Sequence, residues 1–319
     1  MNQHIHRHPS PFLRRTALGA AALTISTLAG GAGCAATSPR TAPGTAEERT
    51  ASGVASPTPQ ADAPGVTAQP DPEPQVVVRD DLRSLFRKAG VEGTFALLDV
   101  EGGRMTVVDR RRAERRMLPA STFKVAHSLI ALETGAAADA DEVIPYGGKP
   151  QRIKEWEHDM NLRDAVRVSN VAVFQTLARR IGPKREKQWL DRLDYGNRRM
   201  GPSVQQFWLD GSLRISAAEQ VGFLSRLAQD LLPASPEAMR TTRDLLKIEQ
   251  KNGYTLYAKT GWGDAVRPAV GWWVGWVERG GHVYAFALNI DIKAGNRDAD
   301  QRIPLTRTLL HTLGVLPAA

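Results

Sequence analysis

Two periods of apolar residues organise the chain from residue 76 onward. Residues 76–89 carry them at helical spacing and predict an amphipathic helix, stopped by Gly90. "TFALLDV" and "MTVVD" read as strands, joined by a turn at Glu101-Gly102-Gly103-Arg104. A helix is predicted over 121–134, closed by Gly135, and residues 136–215 read as short helices and loops. Ser216 and Glu219 have the spacing of a capping box and should start the helix "AAEQVGFLSRLAQDL". A further helix is expected over about 236–250. Three strand-like runs follow, "YTLYAKT", "AVGWWVGWVER" and "HVYAFALNIDI", the last two joined by a hairpin turn at Gly280-Gly281. A final helix is expected over 302–313. No internal repeat is visible.

Strands at both ends with helices between them imply an α/β fold with one largely antiparallel central sheet flanked by helices. The helical middle then packs as a second lobe, and the cleft between sheet and lobe is where a site belongs.

The first residues read differently. Arg14-Arg15 precede an apolar stretch from Thr16 to Gly33 that is too short and glycine-rich for a spanning helix. A basic start, an apolar run and small residues at its end predict an export signal over 1–34 and a periplasmic protein. The paired arginines fit a twin-arginine route as well as the general one. Cys34, the only cysteine, excludes an intrachain disulfide. It is either incidental to a cleavage point or a lipidation cysteine that would anchor the protein to the outer membrane. "LAGGAGCAATS" resembles a lipobox, with Gly31 where such boxes carry an aliphatic residue. Residues 35–75, rich in Ala, Pro, Thr and Ser, bury too little to offset ordering entropy and predict a flexible linker. That leaves 76–319 as the folded domain.

Charge changes this picture little. The chain of 319 residues carries 42 basic and 34 acidic residues, a formal +8. The basic residues are scattered, and the densest run (Arg110, Arg111, Arg112, Arg115, Arg116) reads as a solvated loop, which argues against nucleic acid.

The chemistry begins at "PASTFKVAHSLIALETG". Ser121 and Lys124 are three residues apart and share a helix face. A serine nucleophile needs a base beside it and donors for the oxyanion that its attack creates. A lysine can be that base only if uncharged, and burial among groups such as Phe123, Val125 and Leu129 lowers its pKa. The bland alternative is an N-cap serine beside a surface lysine. Lys259-Thr260-Gly261 ends a predicted strand. The lysine could hold a carboxylate or assist proton transfer, and Gly261 leaves room along the strand edge.

The chain also contains Ser169-Asn170-Val171, Tyr195-Gly196-Asn197 and Trp208 in "FWLDGSLRIS". Together with "STFK", "SLIALETG", "KTG" and "WWVGWVE", they make the region from about Leu82 to Val315 resemble the class D (oxacillinase-type) serine β-lactamases. The resemblance implies the shared fold of serine β-lactamases and penicillin-binding transpeptidases. It implies hydrolysis of β-lactam antibiotics, hence resistance, through an acyl-enzyme on Ser121. It makes Lys124 an N6-carboxylysine, formed reversibly from carbon dioxide or bicarbonate, and general base for acylation and deacylation. Ser169 becomes a proton-shuttling hydroxyl, Val171 an apolar wall, and Trp208 the indole that donates to the carbamate. Lys259 and Thr260 would engage substrate, and the backbone N–H groups of Ser121 and Trp262 would form the oxyanion hole. Arg302 best matches the arginine that receives the substrate carboxylate, with Arg297 and Arg307 as the other candidates.

Related classes fit less well. There is no Ser-Asp-Asn and no Glu-x-x-Leu-Asn segment of the class A kind, and Ser-Asn-Val does not suit class C. A zinc enzyme needs a His/Asp/Cys cluster. His4, His6 and His8 lie in the predicted signal, and His127, His158, His282 and His311 show no ligand spacing. No metal and no organic cofactor are expected. Two alternatives use the same motifs: a penicillin-binding sensor that is acylated but turns over slowly, and a D,D-peptidase. A sensor needs membrane-spanning segments to signal inward, and this chain offers one apolar stretch.

Overall fold

The structure is a computed structural model that describes residues 74–317 apart from Asn252. The expected export signal with Cys34, and nearly all of the expected linker, lie outside those residues.

Seven strands form one sheet: β1 (Gln75–Val78), β2 (Gly93–Asp99), β3 (Arg104–Val108), β4 (Lys247–Lys251), β5 (Tyr254–Gly263), β6 (Ala269–Arg279) and β7 (His282–Ile292). Their order across the sheet is β1-β3-β2-β7-β6-β5-β4. All neighbours are antiparallel except β1 and β3. Hairpins explain this: β6 turns directly into β7 at Gly280 and Gly281, whose φ of 59° and 81° suit a tight turn that other residues resist.

The helices are α1 (Arg83–Ala89), α2 (Arg110–Ala113), α3 (Lys124–Glu133), α4 (Leu162–Arg167), α5 (Val171–Ile181), α6 (Pro183–Arg192), α7 (Ala217–Ala228), α8 (Pro236–Leu246), α9 (Asn296–Ala299) and α10 (Arg302–Thr312). Alternation along the strands splits the apolar residues between two cores. Phe95, Trp273 and Leu288 pack with Phe86 of α1 and Leu309 of α10. Ala96, Trp272, Val274 and Trp276 face the other way, onto α3, α5 and α7. This second core binds the helical lobe to the sheet, and the chemistry lies at its edge.

Two expected helices are shorter than the sequence suggested. Residues 75–78 form β1, parallel to β3, and the helical turns begin only at Asp80. Val76-Val77-Val78 are β-branched and stiff at χ1, so an open sheet edge outcompetes helix there. The helix expected over 236–250 stops at Leu246, because Lys247–Lys251 pairs with β5 as an edge strand. Local spacing cannot reveal that distant partner. The capping box at Ser216 and Glu219 forms in full, and Gly90 ends α1 with φ 70°.

Candidate active site

Ser121 sits in a 3-10 turn, Ala120–Phe123, that leads directly into α3. Ala120 has φ 48°, a left-handed conformation that costs a non-glycine residue energy. Ser121 makes no capping hydrogen bond, so the bland N-cap reading fails. The turn is held from three sides. Thr122 Oγ1 donates to Pro119 O at 2.8 Å and accepts from Gln220 Nε2 of α7 at 2.8 Å. Trp272 Nε1 of β6 donates to Leu118 O at 2.8 Å. From β5, Gly261 lies so close that a Cβ there would stand 3.0 Å from Thr122 Cγ2 and 3.1 Å from Pro119 O. The glycine therefore lets the strand edge press against the serine turn.

Lys124, the first residue of α3, is fully buried, and its Nζ lies 2.8 Å from Ser121 Oγ. Burial above all, and then the charge of Lys259, hold its ammonium well below the usual lysine range. Among the described residues it has no ion-pair partner, so the neutral amine is the favoured form. Its Nζ is 5.4 Å from the centroid of the Phe174 ring. Trp208 is also fully buried, and its indole N–H has no hydrogen-bond partner. An unpaired buried donor is costly and asks for an acceptor.

Ser169 closes the site from the helical lobe. It lies between α4 and α5 with φ 59°, while Asn170, not Ser169, caps α5 by accepting from Val173 N at 3.2 Å. Trp156 Nε1 donates to Val168 O at 3.2 Å and secures the bend. Lys259 Nζ of β5 reaches Ser169 Oγ at 3.1 Å. Burial, followed by the charge of Arg302, pushes the Lys259 ammonium down to about 7. Val171 is half-buried at the start of α5.

Thr260, Gly261 and Trp262 continue along β5, with Trp262 exposed. Arg302 donates from Nη1 to Gly261 O at 2.7 Å and from Nε to Ala299 O at 2.5 Å. Of the three candidate arginines, only Arg302 is brought to this strand edge. Arg297 is exposed beside Asp298, and Arg307 pairs with Glu249.

Tyr195-Gly196-Asn197 lies deeper. The buried Tyr195 ring packs on Phe123 at 5.4 Å, and Asn197 is bonded to the backbone of Ser212 and Arg214. The motif stitches the lobe together behind the nucleophile. The sequence gives His127 no ligand spacing and does not single out Glu186, yet their Nε2 and Oε1 meet at 2.7 Å, both side chains fully buried. No sequence spacing links them, since they come from different helices. Among the described residues, Asp99, Glu101 and His282 form a cluster with metal-ligand reach, but at the end of β2, the turn after it and the start of β7, outside this site.

The arrangement offers a nucleophilic hydroxyl beside a dry amine, with a second hydroxyl–amine pair opposite. It suits proton transfer to and from a serine attacking a carbonyl. The family model of the penicillin binding protein transpeptidase domain matches residues 93–311. β-Lactamase OXA-5 of Pseudomonas aeruginosa is 40% identical over 227 residues, spanning 70% of this chain and 83% of its own. Two solved structures superpose closely. The class D β-lactamase YbXI from Nostoc is 36% identical with TM-score 0.72, covering 75% of this chain and 100% of its own. The class D β-lactamase FUS-1 (OXA-85) from Fusobacterium nucleatum subsp. polymorphum is 35% identical with TM-score 0.73, over the same shares of the two chains.

Proposed function

The chain belongs to the class D serine β-lactamases, hydrolases of β-lactam antibiotics, and from that premise we propose that Lys124 acts as an N-carboxylated general base in both halves of the reaction. The observation that carries this reading is a buried lysine without an anion on α3, and a buried indole N–H without an acceptor on a ring packed against that helix's Phe123 and His127. A neutral Nζ adds to the carbon of carbon dioxide and releases one proton, leaving an anionic carbamate. That group supplies acceptor oxygens that a plain amine lacks, and Trp208 Nε1 is the donor to meet them.

The remaining steps belong to the chain's own groups. Ser121 Oγ loses its proton toward the Lys124 side and attacks the lactam carbonyl carbon. The C–N bond then breaks, and Lys259 gives the lactam nitrogen a proton through Ser169 Oγ; the proton taken from Ser121 passes on from the Lys124 side to Lys259, which resets both groups. The backbone N–H groups of Ser121 and Trp262 receive the oxyanion. Water, deprotonated on the Lys124 side, then attacks the acyl carbon, and Ser121 leaves with its proton restored. Arg302, Thr260 and Gly261 line the edge along which the substrate lies, with Arg302 facing its carboxylate. Val171 and Trp208 keep the base dry.

Carbon-13 NMR with labelled bicarbonate tests the reading. A carbamate signal is expected in the wild type and absent from Lys124→Ala. Activity should fall in mildly acidic buffer, as the amine is reprotonated, and recover with added bicarbonate. An active wild type with no signal, indifferent to bicarbonate, would overturn the dual-base role. The same preparation should turn over many equivalents of a chromogenic cephalosporin; a single acylated equivalent would favour a sensor or transpeptidase.

We further propose, from the sequence of residues 1–34, that the enzyme is exported to the periplasm, with Cys34 as the candidate lipid anchor. Cys34→Ser should then move it from the membrane fraction to the soluble periplasm. Equal solubility of both forms would leave simple signal cleavage.

A further inference from the structure

Beneath the Lys124 pocket lies a titratable pair that the mechanism above does not use. His127 is one turn beyond Lys124 on α3, on the same helix face. Its imidazole packs against three rings: Phe123 at 5.1 Å, Trp208 at 5.1 Å and Phe174 at 5.5 Å. Phe174 is the ring that Lys124 Nζ overlies, and Trp208 carries the unpaired indole N–H. On its far side the imidazole meets Glu186 of α6, with Nε2 and Oε1 at 2.7 Å. Both side chains are fully buried. The contact is off the line of a straight hydrogen bond, and none of the pair's four polar atoms has another partner. A nitrogen and a carboxylate oxygen this close in a dry interior must share a proton, since two bare lone pairs would repel.

Such a pair is a poor choice for stability alone, because apolar side chains of similar volume usually do as well. Its placement suggests another use. A carboxylated lysine persists only where water is kept out and its donor is held still. The imidazole touches both walls that meet this need, and Glu186 fixes the imidazole.

We infer that His127 and Glu186 form a proton-sharing brace that positions the Trp208 and Phe174 rings, so that the carboxylated Lys124 is retained. They are positioning residues, and the inference rests on the carbamate reading above. Removing Glu186 leaves the imidazole unpaired beneath the pocket. It can then tilt or recruit water, and the two rings lose their support.

The test is a titration of the carbon-13 carbamate signal with labelled bicarbonate, run on the full protein beside a thermal melt. Glu186→Leu should need on the order of tenfold more bicarbonate for half-saturation, the factor given by about 1.4 kcal/mol of lost positioning. Glu186→Gln, whose amide oxygen can still accept from the imidazole, should stay close to the wild type. The double variant His127→Leu with Glu186→Leu removes the brace while keeping the volume filled. Its melting temperature should return to the wild-type value while its bicarbonate requirement stays raised, which mere packing would not produce. If Glu186→Leu does not fold, the double variant decides alone. A double variant that retains the carbamate as the wild type does overturns the brace. A wild type with no carbamate signal overturns the reading of Lys124, and the brace with it.

Discussion

Arg112 and Lys124 are both taken largely out of water, and the protein treats them in opposite ways. Arg112 of α2 lies against β7. Its Nη2 donates to Asp291 Oδ1 and Asn289 Oδ1, each at 2.7 Å, and its Nε donates to Asn289 Oδ1 at 3.1 Å. The charge is matched by a carboxylate and satisfied by hydrogen bonds. At the active site, Lys124 is buried with the Ser121 hydroxyl in reach, Lys259 is buried between the Ser169 hydroxyl and the Thr260 carbonyl, and Arg302 adds a third positive group. Among the described residues, no carboxylate pairs with either lysine. A paired cation stays charged and holds elements together; an unpaired one loses its proton and becomes reactive. The first arrangement favours the fold, and the second opposes it for the sake of a base.

The largest break in this comparison comes from removing the hydroxyl that Lys124 has instead of a carboxylate. Ser121→Ala should lower turnover by about 10⁴-fold or more, since nucleophile and base act as a unit. The melting temperature should barely move, because Ser121 caps nothing. Intact-mass measurement with a slow substrate should find an adduct on the wild type alone; an adduct on the variant would end the assignment.

Next comes Lys124→Met, which should also abolish turnover yet raise stability. The unfolded chain holds the Lys124 proton up to its ordinary pKa of 10.5, and the folded chain releases it far lower. Between those values the unfolded state binds more protons, so the wild type is penalised at pH 7 and recovers as pH rises. In bicarbonate-free buffer the variant's advantage should therefore be large at pH 7 and shrink toward pH 10. Denaturation at both values checks this, and an advantage independent of pH would contradict it. Lys259, with its folded pKa of about 7, imposes the same slope from there up to 10.5 and does so in both proteins.

Arg112→Ala should do the reverse. It strands Asp291, whose side chain is only 10% exposed, and should cost about 3 kcal/mol of stability. kcat/KM per folded molecule should not change, and a matching loss of activity would mean that the two regions are coupled.

Arg302→Ala gives the smallest effect. It would remove the charge-assisted contact proposed for the substrate carboxylate and leave the reacting groups in place. KM should rise roughly tenfold with a smaller fall in kcat. If Arg297→Ala or Arg307→Ala did this instead, the reading of α10 would be wrong.

How much of this was legible beforehand follows from what is local. The capping box at Ser216, the glycine stop at Gly90 and the Gly280-Gly281 hairpin are written in neighbouring residues and appear as read. The i to i+3 spacing of Ser121 and Lys124 puts their polar atoms together. What eluded the sequence depends on distant partners. β1 and β4 are strands because β3 and β5 offer edges, and the helical spacing around both could not say so. Gly261 was read as space for a substrate, yet it also admits Thr122, which only the fold brings near. The pairing of His127 with Glu186 joins two helices, and neither residue announces the other.

The order of strands across the sheet also bears on how the molecule comes into being. β2 lies between β3, its hairpin neighbour, and β7, the last strand made. Phe95 meets Leu288 across that seam, with the whole helical lobe emerging in between. During synthesis β2 and β3 must therefore wait with an open apolar edge. The chain cannot finish half of its sheet early and protect it. Long-range pairing of this kind makes for slow folding and for vulnerable intermediates. A version truncated before β7 should collect as aggregates rather than as a stable half-molecule, and recovery of a soluble, cooperatively melting fragment would refute this.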